Sequence, residues 1–306
     1  MLRIGAVPAA GLNDADVHER ARLMRTIADA GLDGVLQADH VSFLDGGGTD
    51  AIVMMAGLSG AHPTLGLHVG VYLLPLRHPV TVARSLVTLD QLAPGRVVFG
   101  VGIGGEDRHE VEVCGVDPRT RGRRCDASLE ILRALLAGET VTHHDEFFDL
   151  DDCRIRPTPS SPIPVLVGGR SDAAIRRAGR HGDGWLGAWC SPHRFEQAAA
   201  TCSDVADAAG RRVSWRHKYQ PWVGLGATRD EARAHVARAM QRFYGLPFEA
   251  FEKYTPYGTA ADVAEALVPY VRAGVHEFDM SLCGPDAETA IAMAGEVKRL
   301  LAAEVA

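Results

Sequence analysis

Apolar runs of strand length alternate with amphipathic stretches of helix length from one end of this chain to the other. No other feature restricts the fold as tightly, because such alternation is the mark of βα units around a parallel sheet. Eight strand candidates can be counted: Leu2–Val7, Asp33–Gln37, Leu65–Leu74, Arg96–Gly102, Ile163–Val167, Gly184–Ala188, Val213–Gly226 and Val275–Leu282. The intervening helices carry their own punctuation, such as Gly31 closing the first and Pro79 opening the third. The fourth and fifth strands are separated by a Gly- and charge-rich loop (Gly104–Arg124), a helix (Asp126–Ala137) and a polar β excursion (Thr140–Arg156). An aromatic insertion, Phe243–Tyr257, precedes the eighth strand. Eight βα steps with short connections favour an α/β TIM (β/α)8 barrel with loop insertions at the C-terminal face over an open doubly wound sheet. At 306 residues the chain fits one such domain, 1–306.

Composition narrows the function classes. With 32 Lys and Arg against 39 Asp and Glu, no broad basic footprint for nucleic acid or an anionic membrane is expected. The sequence has neither a signal-peptide pattern nor an 18-residue apolar run, so a cytoplasmic protein is expected. Six widely spaced cysteines without any CxxC pair point to reduced packing residues. HxH, HExxH, GxSxG and P-loop motifs are missing, which disfavours a metal hydrolase, an esterase or a nucleotide hydrolase.

In a barrel of this kind the chemistry follows the strand C-termini. The second strand ends in Ala38-Asp39-His40, which places a carboxylate and an imidazole at the mouth. His40 suits general acid or base work near neutral pH, although a histidine that only caps a loop would read the same way. Gly70, inside the third strand, marks a bulge at Gly70-Val71 or a glycine beneath a large neighbour. The fourth strand ends Gly100-Val-Gly-Ile-Gly-Gly105-Glu106, so Gly102 and Gly104 let main chain lie close to a flat ligand. A dinucleotide fingerprint is rejected there, because a loop follows rather than a helix. The fifth strand runs into Gly168-Gly169-Arg170-Ser171 and then a helix, a phosphate site or simply a tight turn.

Taken together, these stretches resemble the bacterial luciferase-like monooxygenase superfamily, and particularly its coenzyme F420-dependent branch. The resemblance is carried by Ala38-Asp39-His40, Gly70–Pro79, Gly95–Gly105, Arg121–Asp126, Pro164–Ser171 and Gly182-Asp-Gly-Trp185, in that order. It implies a flavin or deazaflavin ring at the barrel mouth, with Asp39 and His40 beside it and a non-prolyl cis peptide at Gly70-Val71 pressing on it. The phosphate would lie on Gly168-Gly169 with Arg170 and Ser171, and Gly102, Gly104 and Glu106 would line the loop near the reacting carbon. The implied activity is hydride transfer between F420 and a small organic substrate. The alternatives are an FMN-dependent monooxygenase served by a partner reductase, and a non-catalytic flavin-binding homologue. Relatives of this kind are often homodimers. Where the sugar-phosphate dehydrogenases of this branch carry a tryptophan four residues after the histidine, this chain has Leu44, and it has only three lysines. Glucose 6-phosphate is therefore not the expected substrate.

Overall fold

Strand alternation explains how the barrel closes. In each strand one set of residues packs outward on the helices and the other fills the interior. In the computed structural model, which describes residues 2–8, 12, 15–105 and 107–304, eight parallel strands form the wall. They are β1 Arg3–Pro8, β2 Gly34–Gln37, β3 Gly66–Leu73, β4 Val97–Gly102, β5 Val165–Gly168, β6 Gly184–Gly187, β7 in two pieces (Lys218–Tyr219 and Trp222–Leu225) and β8 Glu277–Cys283. Gly5 of β1 pairs with Gly34 of β2 on one side and Asp279 of β8 on the other, which closes the ring.

Outward residues such as Leu67, Val69, Phe99, Val165, Val167 and Trp185 join the main core beneath the helices. The interior is layered. Near the strand N-termini His68, Lys218 and Asp279 form a buried ionic cluster, with His68 Nδ1 2.8 Å from Asp279 Oδ1 and Lys218 Nζ donating to Asp279 Oδ2 at 3.0 Å. Against the cost of burial, Lys218 and His68 hold the Asp279 carboxyl well below the usual carboxylate range. Above them Val98, Leu166 and Leu186 form a separate apolar layer, with Val71 packed on it.

Three expected boundaries shift. The loop Gly104–Arg124 contains a short helix, Arg108–Val113, and the next helix begins at Arg121 rather than Asp126, where three arginines, good helix formers, outweigh Gly122. The seventh strand is shorter than Val213–Gly226. Its two pieces are separated by Gln220-Pro221, where proline has no N–H for the ladder. The loop after β2 folds into a hairpin, His40–Phe43 with Gly47–Thr49. The excursion Thr140–Arg156 is a two-stranded hairpin, Val141–His144 with Asp149–Cys153.

Candidate active site at the barrel mouth

His40 opens the hairpin after β2, and its imidazole is held from below by a residue 70 positions away. Glu110, 2% exposed, lies 3.1 Å through Oε2 from His40 Nδ1. Its Oε1 accepts from the Val41 backbone N–H at 2.7 Å. Because the carboxylate can only accept, it fixes the proton on Nδ1 and leaves Nε2 as the basic nitrogen. Among the described residues no hydrogen bond engages Nε2. Glu110 stands on the helix Arg108–Val113, whose N-cap Asp107 accepts from the His109 N–H at 2.8 Å and the Leu44 N–H at 2.7 Å. The loops after β2 and β4 are thus tied together beneath the imidazole. Glu110 was missed in the sequence reading, which selected Glu106 instead; Glu106 lies outside the described residues. The Asp107-x-x-Glu110 spacing of a capping box was the available signal.

Asp39 is almost fully buried and its oxygens are fully engaged. Arg77 donates to Oδ2 at 2.6 Å and to Oδ1 at 2.9 Å, and the Leu73 and Ala51 amides donate at 3.0 and 3.2 Å. Burial pushes this carboxyl up, against the pull of Arg77 and the Leu73 amide. Asp39 thereby joins the ends of β2 and β3 and sets the position of His40.

The peptide between Gly70 and Val71 is cis, and the β3–β4 register shifts between Val69 and Tyr72, as a bulge there requires. A Cβ on Gly70 would collide with the Leu36 side chain, so glycine here sits beneath a large neighbour. Val71 is clamped from two sides: a Cβ on Gly102 would fall 2.5 Å from its Cγ2, and one on Gly168 2.6 Å from its Cγ1. These glycines therefore let Val71 sit over the apolar layer, giving the mouth a flat floor. Gly104 has φ +68°, and a Cβ there would touch the Leu73 and Val111 side chains at ordinary contact distance.

At the β5–β6 rim, Gly169 (φ +124°) turns the chain into the helix Asp172–His181, and Ser171 caps that helix by accepting from the Ala174 N–H. Trp185 Nε1 donates to Gly169 O at 2.8 Å, which explains the Gly182–Trp185 signature. Arg177 of the same helix pairs with Asp126 at 2.6 Å, so the Arg121–Asp126 segment anchors it. Beside the turn is a cavity of about 180 Å³ lined by Arg170, Trp189, Ser191, Arg194 and Tyr254 among others. Arg170 lies 5.5 Å over the Trp189 ring, and the buried Trp189 Nε1 has no acceptor from the protein. A guanidinium and an orphaned indole N–H in one cavity fit an anionic group.

The family profile of luciferase-like monooxygenases matches residues 3–257. The chain belongs to this family. An uncharacterized protein of Mycobacterium tuberculosis is 35% identical over 162 residues, 53% of this chain and 56% of that protein. The chain thus spans about half the length of that relative. An F420-dependent glucose-6-phosphate dehydrogenase of Microbacterium testaceum is 28% identical over 298 residues, 88% of each chain. Among solved structures, an F420-dependent secondary alcohol dehydrogenase superposes with a TM-score of 0.84 at 19% identity, over 98% of this chain and 99% of that one. No helix among the described residues is long and apolar enough to cross a membrane.

Proposed function

We propose that this chain is an F420-dependent oxidoreductase that moves hydride between the deazaflavin and a small organic substrate, with His40 handling the substrate proton. The observation that carries this reading is the His40–Glu110 pair at the end of β2, which leaves Nε2 without a hydrogen bond among the described residues, in a barrel whose interior carries the apolar layer of Val71, Val98, Leu166 and Leu186. When bound, F420 supplies a two-electron hydride donor or acceptor. The chain's own residues bind, orient and move a proton. Val71, clamped by Gly102 and Gly168, offers the ring an apolar support, and Gly104, at φ +68°, turns the chain beyond it. The Gly169 turn, Arg170 and the Trp189 indole hold the anionic arm. Asp39 fixes the loop that carries His40, and Nε2 accepts the proton of a substrate hydroxyl or returns it to a carbonyl oxygen. Glu106 remains a candidate for polar contact near the reacting carbon.

F420 is preferred over FMN because Asp39-His40 resembles the deazaflavin branch and a relative matched over 88% of both chains is F420-dependent. FMN with a partner reductase, the second reading, is favoured by the match to the monooxygenase profile. A homodimer is supported by the helix Ala51–Ser59, which carries no charged residue and leaves Val53 70% exposed. A reducing, cytoplasmic setting is supported by six free cysteines.

The test is a His40→Ala variant. It should bind F420 as the parent does while turnover falls about 100-fold or more, the usual contribution of a positioned acid or base. Turnover at the parent rate would remove the acid–base role.

A further inference from the structure

We infer that the substrate is a neutral molecule with an apolar ring, seated against a wall of aromatic side chains on the β2–β7 side of the mouth. The inference rests on the His40 reading above and names the substrate class for that site.

His40 is the first of a run of touching rings. Its centroid is 4.2 Å from Phe43 and 6.4 Å from Phe243. Phe43 and Phe243 stack at 5.7 Å, and Phe243 continues to Trp222 at 5.9 Å. Phe43 belongs to the hairpin after β2, Trp222 to β7, and Phe243 to the end of the helix Arg229–Tyr244. Phe43 and Phe243, from separate parts of the sequence, therefore meet the imidazole, and Trp222 extends the wall behind Phe243.

The same region is where apolar surface is left in water. Val41, Leu44, Phe243 and Leu246 are 45%, 57%, 37% and 50% exposed, and they make up half of the eight large hydrophobic side chains left exposed among the described residues. All four lie within a few residues of His40 or Phe243. Apolar surface concentrated around a proton-transfer group marks a ligand site, because isolated exposed hydrophobics would scatter over the molecule.

Charge is distributed the opposite way. Lys218 is buried in the barrel floor on Asp279, and Lys298 is tied to Asp33 and Gly31 O. Lys253 lies over Tyr254, which lines the β5–β6 cavity. Arg77 is spent on Asp39, Arg121 comes next to Gly105, and the cavity at the other rim is lined by Arg170 and by Arg194, which is paired with Asp172. Among the described residues no Lys or Arg lies over the ring of Phe43, Phe243 or Trp222, and the cation next in sequence is Arg242, on the exposed side of the helix end. The mouth is thus divided, with cations at the β5–β6 rim for the anionic arm of a cofactor and rings around His40 for an uncharged partner.

Calorimetric titration of the cofactor-free full chain with 2-naphthol and with glucose 6-phosphate tests this. The expected result is saturable binding of 2-naphthol and none of glucose 6-phosphate. Phe243→Ala should weaken naphthol binding about tenfold, as loss of a large apolar contact does, while Phe243→Leu retains most of it. Leu246→Ser, at an exposed position that folding does not need, should weaken it less but measurably. Circular dichroism confirms that each variant is folded. Binding of glucose 6-phosphate as tight as that of naphthol, or naphthol affinity unchanged in both Phe243→Ala and Leu246→Ser, would overturn the inference. Because the probe is read without cofactor, failure of F420 to bind would remove the cofactor reading while leaving naphthol binding to decide this one.

Discussion

Replacing Glu110 by glutamine keeps the shape of the side chain and removes one property, its inability to donate. In the parent, Glu110 Oε1 accepts from the Val41 N–H at 2.7 Å and Oε2 faces His40 Nδ1 at 3.1 Å. The shorter backbone bond keeps the amide oxygen of the glutamine on Val41, so its NH₂ group faces Nδ1. Nδ1 must then accept, and the imidazole proton moves to Nε2. A histidine protonated on Nε2 cannot take a proton from a substrate hydroxyl. Turnover should therefore fall about 100-fold or more, the usual contribution of a positioned base. Stability should fall by only about 1–2 kcal/mol, the difference between a charge-assisted and a neutral hydrogen bond. Steady-state kinetics in the oxidative direction, with nitrogen NMR of the imidazole to report the tautomer, read both effects. The loss should be in kcat, with F420 affinity unchanged. Parent-like kcat in a variant whose imidazole carries its proton on Nε2 would refute the reasoning, as would an imidazole still protonated on Nδ1.

Gly168→Ala places a Cβ 2.6 Å from Val71 Cγ1. Displacing that side chain should cost about 1–3 kcal/mol in denaturant unfolding and weaken F420 binding, and an unchanged unfolding midpoint would mean that Val71 is not clamped. His217 accepts from the Trp185 N–H at 3.0 Å, and burial lowers its pKa from the ordinary value near 6.5 to about 4. A lowered histidine pKa means that the unfolded chain takes the proton first. Stability from this group is therefore full above pH 6.5 and declines toward pH 4 by about 3 kcal/mol in all. His217→Gln, which keeps an acceptor for Trp185, should show a shallower acid decline in urea melts at several pH values; parallel pH curves would count against this.

Much of the fold was legible because the two periodicities that produce it, 2 and 3.6, are printed in the chain. All eight strands overlap the apolar runs that spacing marks, and most of the long helices between them lie where it places them. Legibility ended where local signals compete. Pro221 divides a long apolar run that periodicity alone reads as one strand, and the Arg121–Arg124 segment reads as a charged loop although it opens a helix. In the site, His40 was found by position at a strand end. Glu110 was not, because its significance depends on a contact across 70 residues of sequence and Glu106 stood closer to the strand. The aromatic insertion gave no sign of its place in the site, since nothing local shows that Phe243 reaches Phe43 and His40. Gly102 and Gly168 were picked out for ligand approach, and the structure adds the side chain they accommodate, Val71.

The most direct test of the central claim is titration of the purified full chain with F420 and, separately, with FMN, followed by quenching of cofactor fluorescence. The expected result is saturation by F420 at micromolar concentration, with FMN weaker and F420 binding reduced when Arg170 is changed to Ala at the cavity rim. Tight binding of FMN together with no binding of F420 would contradict the account.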